Sequence, residues 1–157
     1  MDFSGGDKQF IEINGIDCDG TLGGYEAVKL GGATGFIRIK DMEAFGNAGQ
    51  GILDAATGGG NEFLNLYLHN NGTSDFDHGI YISSDNNKIW NSDFEANSGW
   101  GIHVYSSIGS PSNNDIQYNR AWDNGAAGTR GSGIVVNGNN ACAIHNVPSS
   151  EKKAIPK

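Results

Sequence analysis

The chain of 157 residues has two cysteines, three prolines and no apolar run of eighteen residues. The missing apolar run removes a membrane-spanning helix from the expectations. No charged-then-apolar segment opens the chain, so no secretory signal is read there, and compartment stays unassigned. Cys18 and Cys142 stand near opposite ends, too few and too far apart for a zinc site. No window of ten residues carries a helical apolar stripe free of Gly, Pro and Asn clusters, which excludes helical repeats and a helical domain. Positive charge is also scarce: the formal net charge is -8 and the sequence pI about 4.7. An acidic surface repels phosphate backbones and anionic headgroups, so neither nucleic acid nor membrane is an expected partner. Glycine-rich stretches such as Gly58-Gly59-Gly60 precede no helix, so they do not cradle phosphate, and no cofactor is expected. Threonine rows of the ice-binding kind are absent.

What the chain does have is a repeat. Ile39 is followed eight residues on by Asn47 and then by Gly51-Ile52; Ile89 leads in the same way to Asn97 and Gly101-Ile102. Phe63 leads to Asn71 and Gly79-Ile80, and Ile116 to Asn124 and Gly133-Ile134. A first copy reads Ile11, Asp19-Gly20, Ala27-Val28, and a sixth starts at Ile144 and stops. The fifth position of each unit is apolar: Ile16, Ala44, Leu68, Phe94 and Ala121.

Periods of this size mean a solenoid or an array. The apolar pairs Val28/Leu30, Ile80/Ile82, Ile102/Val104 and Ile134/Val136 alternate, which is strand periodicity. The recurring Asn suits a left-handed turn residue that bonds its own backbone. Stacked copies would form an Asn ladder. The expected fold is all-β: a parallel β-solenoid of about five coils over residues 10–147, with a lead-in at 1–9 and a polar tail at 148–157. At one strand separation per coil the stack is only roughly 25 Å tall. Cys18 and Cys142 then lie several coils apart, beyond the roughly 7 Å that a disulfide spans between Cα atoms. Both ends lack a capping helix, so the expected partner there is a second copy of the chain or neighbouring coils of a longer solenoid.

The stretch from His78 to Ile102 resembles the repeat of right-handed parallel β-helix proteins, the superfamily of pectate lyases, polygalacturonases, mannuronan epimerases, and alginate and chondroitin lyases. The resemblance runs over about residues 10 to 147 and implies a polysaccharide ligand along the stacked Gly-Ile strands. The alternation turns Lys29, Leu53, Tyr81, His103 and Val135 outward there, with Ser83, Tyr105 and Asn137 beside them. Tyr81 and His103 fall on adjacent coils. They are the candidate acid and base for a lyase-like step on a uronate, with Lys29 or Arg130 as the cation for its carboxylate. Ser83, Tyr105, Trp100 and His78 are the candidate binding residues. No cluster of carboxylates stands on this face, which excludes polygalacturonase-like hydrolysis and calcium-dependent lyase chemistry; Asp54 falls on the inward phase. Asp75-Phe-Asp77-His78 lacks the proline of the epimerase Asp-Pro-His motif and precedes the strand, so His78 is expected at a corner. Trp90 and Trp122 are expected to face outward, as sugar platform or subunit interface. Only Gly109–Asn114 and Gly125–Ser132 are long enough to wall a cleft. An enzyme, a binding module and an assembly piece all remain compatible with these residues.

Overall fold

A computed structural model of the chain describes residues 1–107, 109–125 and 133–148, for Pro148 the backbone alone. Short strands follow one another along it: β1 (Asp2–Phe3), β2 (Glu12–Asn14), β3 (Asp17–Asp19), β4 (Val28–Leu30), β5 (Arg38–Phe45), β6 (Ile52–Asp54), β7 (Glu62–His69) and β8 (Ile80–Ile82) come first. Then come β9 (Lys88–Trp90), β10 (Asp93–Glu95), β11 (Ile102–Val104), β12 (Asp115–Gln117), β13 (Arg120–Trp122), β14 (Ile134–Val136), β15 (Cys142–Ile144) and β16 (Val147–Pro148). Among the described residues there is no helix, and every strand pairing is parallel. The fold is a parallel β-solenoid of about five turns.

Each turn has three faces. The first is a six-stranded sheet in the order β1-β4-β6-β8-β11-β14. Residues 2–3, expected in a lead-in, thus supply its first strand, where Asp2 pairs Lys29. The other two faces share one sheet, because β5 and β7 run unbroken across the corner between them. Both strands bend there at a left-handed residue, Asp41 (φ 52°) and Asn65 (φ 54°).

Left-handed residues form columns at all three corners. One column is Phe10, Phe36, Gly60, Asn86, Asn113 and Asn140; the second is Gly15, Asp41, Asn65, Asn91, Tyr118 and His145; the third is Gly46, Asn70, Ala96 and Asp123. The ladder asparagines stand one residue after these positions. That corrects the expectation that the recurring Asn itself is the left-handed residue: Asn47, Asn71, Asn97 and Asn124 turn their amides into the core instead. Asn47 Nδ2 donates to Asn71 Oδ1 at 2.9 Å, Asn71 Nδ2 to Asn97 Oδ1 at 3.1 Å, and Asn97 Nδ2 to Asn124 Oδ1 at 2.9 Å. Two further ladders line the other corners. Asn87 Nδ2 donates to Asn114 Oδ1 while the Asn61 N–H donates to Asn87 Oδ1. The Ser92 N–H donates to Asn119 Oδ1, and Asn119 Nδ2 to Asn146 Oδ1. These amides satisfy backbone groups that a tight corner would otherwise leave buried and unpaired.

The corners also fix lengths. Ile37 to Asn47, Asn61 to Asn71, Asn87 to Asn97 and Asn114 to Asn124 are each ten residues, the full span of the second and third faces. Length varies only in the connectors on either side of the first face.

The core is built from rows. Val28, Ile52, Ile80 and Ile102 stack on the first face, each 0% exposed. Ile13, Ile39, Phe63, Ile89 and Ile116 stack on the second, and Ala44, Leu68, Phe94 and Ala121 on the third. Fully burying one such aliphatic side chain contributes about 1.5–3 kcal/mol. The Gly of each Gly-Ile step is required by close approach, because a Cβ on Gly79 would sit 2.6 Å from the Gly101 carbonyl oxygen and 2.9 Å from Asn97 Nδ2.

The end coils correct the repeat frame. Ile13, not Ile11, pairs Ile39, and Cys18, not Ile16, pairs Ala44. Ile16 is 40% exposed, and Asp19 accepts from Thr21 instead of joining the ladder. At the other end Ala143 pairs Ile116, and Ile144 faces solvent at 42% exposure. Register follows the left-handed corner residues, Gly15 and His145, and not the nearest apolar side chain. Both thiols are free.

Candidate functional site

The outward residues of the first face fall in the expected row: Lys29, Leu53, Tyr81, His103 and Val135 pair successively across β4, β6, β8, β11 and β14. Tyr81 and His103 are direct neighbours, their rings edge-to-face at 5.2 Å. Together with His78, Trp100 and Tyr105 they line one cleft of about 530 Å³. His103 meets Trp100 at 4.2 Å and stacks on Tyr105 at 5.4 Å.

Two of the expected residues, Lys29 and Ser83, lie elsewhere. Lys29 is on the same face but two strands from Tyr81, about 10 Å away at one strand spacing each, and does not line the cleft. Ser83 borders a separate groove, its hydroxyl donating to the Asp54 carbonyl at 3.2 Å. Arg130 lies outside the described residues. Asp54 is inward as expected: it is 0% exposed and accepts from Ser84 Oγ, Asn61 Nδ2 and the Ala56 N–H. Burial pushes its carboxyl above the usual range, against those hydrogen bonds.

His78 has a larger role than a corner position suggests. It is 2% exposed and forms the floor of the cleft. The Trp100 N–H donates to its Nδ1 at 3.0 Å, and its Nε2 lies 3.0 Å from His103 Nδ1. A backbone N–H can only donate, so His78 Nδ1 carries no proton and the ring bears its hydrogen on Nε2. That hydrogen then points at His103 Nδ1, which must accept, so His103 bears its own on Nε2. One main-chain amide therefore sets the tautomer of two rings. Tyr81 is a donor too: burial, and next the Tyr105 hydroxyl, raise its phenol above the usual value, so it stays protonated at neutral pH.

Two other lining residues, Gln50 and Phe76, carry no signal in the repeat. Gln50 Nε2 donates to the Phe76 carbonyl at 2.9 Å, and its Oε1 accepts the His78 N–H. Asp77 closes the same loop, its Oδ2 accepting from the Thr73 and Ser74 N–H groups and from Ser74 Oγ. The loop 73–78 thus walls the cleft, whereas Gly109–Asn114 borders the Ser83 groove; of Gly125–Ser132 only Gly125 is among the described residues. Both missed residues sit in the connectors, where periodicity carries no information.

The tryptophans occupy three different surfaces, and only Trp100 lines the cleft. Trp122, expected exposed, is 8% exposed, with the Arg120 guanidinium 5.7 Å from its ring. Trp90 is half-buried under Lys88 at 5.4 Å. A groove of similar size runs from the Asp41–Asn65 corner onto the third face, and several of its polar residues are paired. Tyr67 donates to Glu95, His69 Nε2 meets Glu43 at 2.8 Å, and Arg120 pairs with Asp93. Among the described residues no Asp, Glu, Lys or Arg lines the first-face cleft, and no three His, Cys, Asp or Glu stand together to hold a metal.

No protein-family model, curated protein or solved structure matches this chain. What fold and site define together is a parallel β-solenoid with an uncharged aromatic–histidine cleft on one face.

Proposed function

We propose that this chain is a glycan-binding solenoid of the right-handed, pectate lyase-like kind, which holds an uncharged stretch of polysaccharide across β6, β8, β11 and β14 without turning it over. The observation that carries this reading is the cleft itself: Tyr81, Trp100, His103 and Tyr105 offer rings and hydrogen-bond donors around about 530 Å³, with no charged side chain among the described lining residues. Aromatic rings pack against the apolar faces of pyranoses, and a few placed polar groups set orientation. A lyase step on a uronate fits less well. It needs a base, whereas Tyr81 stays protonated and His103 bears its hydrogen on Nε2. It also needs a cation for the carboxylate, and Lys29 stands two strands off.

Affinity electrophoresis and calorimetry against neutral and uronate polysaccharides test the reading. The expected result is capture of a neutral glycan and a loss of at least about tenfold in affinity, or about 1.4 kcal/mol, in Trp100→Ala or Tyr105→Ala. Unsaturated product absorbing near about 235 nm from a uronate substrate, abolished by His103→Ala, would overturn it in favour of elimination chemistry.

A second reading, an assembly module, rests on the end coils. Among the described residues β2 and β3 pair only with β5 at one end, and β15 and β16 only with β12 and β13 at the other. Such open strand edges suit stacking on a further coil. Small-angle scattering showing a monomer at all concentrations removes it.

A further inference from the structure

We propose that the His78–His103 pair is an acid-sensitive latch: the chain Trp100 N–H to His78 to His103 holds only while both rings are neutral, and acid opens the cleft. The argument is one of donors and acceptors. An imidazolium bears hydrogen on both nitrogens. On His78 the added proton would sit on Nδ1, facing the Trp100 N–H at 3.0 Å. On His103 it would sit on Nδ1, facing the His78 Nε2–H at 3.0 Å. Either event sets donor against donor and breaks a buried hydrogen bond.

His78 cannot turn away in place. A Cβ on Gly99 would lie 2.3 Å from His78 Nδ1, so the backbone already touches the ring on that side. Trp100 stacks on it at 4.9 Å, His103 crosses its edge at 4.7 Å, and Tyr81 lies over it at 6.0 Å. Its main-chain N–H is tied to Gln50. The relief available is to move the Trp100 corner or the 73–78 loop, and both are walls of the cleft. The titratable groups around the latch are Tyr81 on β8, Tyr105 just after β11, and Asp75 and Asp77 in the loop. The tyrosines carry no charge here. Asp77 Oδ2 is committed to Thr73 and Ser74.

The latch is testable without any ligand. Imidazole ¹⁵N spectra of the full chain near neutral pH are expected to show both rings as the Nε2–H tautomer. On acidification the two rings are expected to titrate in one cooperative step, while the Trp100 amide resonance shifts and its indole emission falls. Independent titration of the two rings, an Nδ1–H tautomer on either ring, or a Trp100 amide that does not move would each overturn the proposal. In a His103→Gln variant, whose amide oxygen can accept the His78 Nε2–H, His78 is expected to keep the Nε2–H tautomer near neutral pH; an Nδ1–H tautomer there counts against the latch. Control of glycan affinity by this latch rests on the function proposed above. Failure to capture any glycan sinks that function and leaves the spectroscopic result standing.

Discussion

Replacing Asn97 by Ala is expected to cost far more than replacing Asn124, although both belong to the same ladder. Asn97 is fully buried. Its Oδ1 accepts the Asn71 N–H at 3.2 Å and Asn71 Nδ2 at 3.1 Å, and its Nδ2 donates to the Leu68 carbonyl at 3.0 Å and to Asn124 Oδ1 at 2.9 Å. Truncation strips the acceptor from the Asn71 N–H and the donor from the Leu68 carbonyl, with no room for solvent to replace them. Each buried group left unpaired costs about 1–3 kcal/mol, so the variant should lose about 4 kcal/mol. That is a large part of the roughly 5–15 kcal/mol of a whole domain. Asn124 is only half-buried. Water can reach the groups it leaves behind, and Asn124→Ala should lose about 1 kcal/mol. Asn97→Asp keeps the two acceptor roles but sets a carboxylate against the Leu68 carbonyl and Asn124 Oδ1, and should be no more stable than the alanine. Urea unfolding followed by tryptophan emission and circular dichroism gives the three values. Equal losses at Asn97 and Asn124 would refute the idea that ladder bonds count because they are buried.

Two further outcomes follow from single positions. Burial raises the folded-state pKa of Asp54 above the ordinary carboxylate value, so its carboxyl stabilises the fold most below about pH 4, and that contribution falls as pH rises through the raised value. In Asp54→Asn the new amide faces Asn61 Nδ2, so the variant is less stable, and the deficit should shrink from pH 4 to pH 8; a deficit that widens would be contrary. Ala96 is left-handed at φ 52°, a conformation that costs a non-glycine residue about 1–2 kcal/mol. Ala96→Gly should therefore stabilise by about 1 kcal/mol and raise the melting temperature, the opposite of an ordinary Ala→Gly change in a strand; a fall would be the wrong sign.

Much of the architecture was legible because strand alternation and the Asn47–Asn71–Asn97–Asn124 step are both one-dimensional signals. They set the first face and the outward row Tyr81–His103 correctly. The second and third ladders were equally present, as the 26- and 27-residue steps from Asn61 to Asn87 to Asn114 show. The eight-residue step from an apolar residue to Asn marks only one corner of each coil. Frame errors at Ile11, Ile16 and Ile144 have a different cause: an end coil has a neighbour on one side only, and its apolar residues need not be the buried ones. The cleft was half legible. Its strand residues follow the repeat, but His78, Gln50 and Phe76 are placed by a loop whose shape comes from Asp77 and Gln50 hydrogen bonds. Trp122 shows the reverse failure, since outward phase on a strand does not guarantee contact with solvent.

The constant ten-residue span across the second and third faces, against connectors of varying length beside the first, divides the chain into two regimes of tolerance. Insertions within the span would pull an asparagine off its column and unpair the coils above and below. Insertions beside the first face meet no such constraint and alter only what stands around the cleft. The scaffold therefore leaves recognition open to revision by drift in loop length alone, and grafting a foreign connector between Asn71 and Gly79 is the natural route to a solenoid with a different ligand.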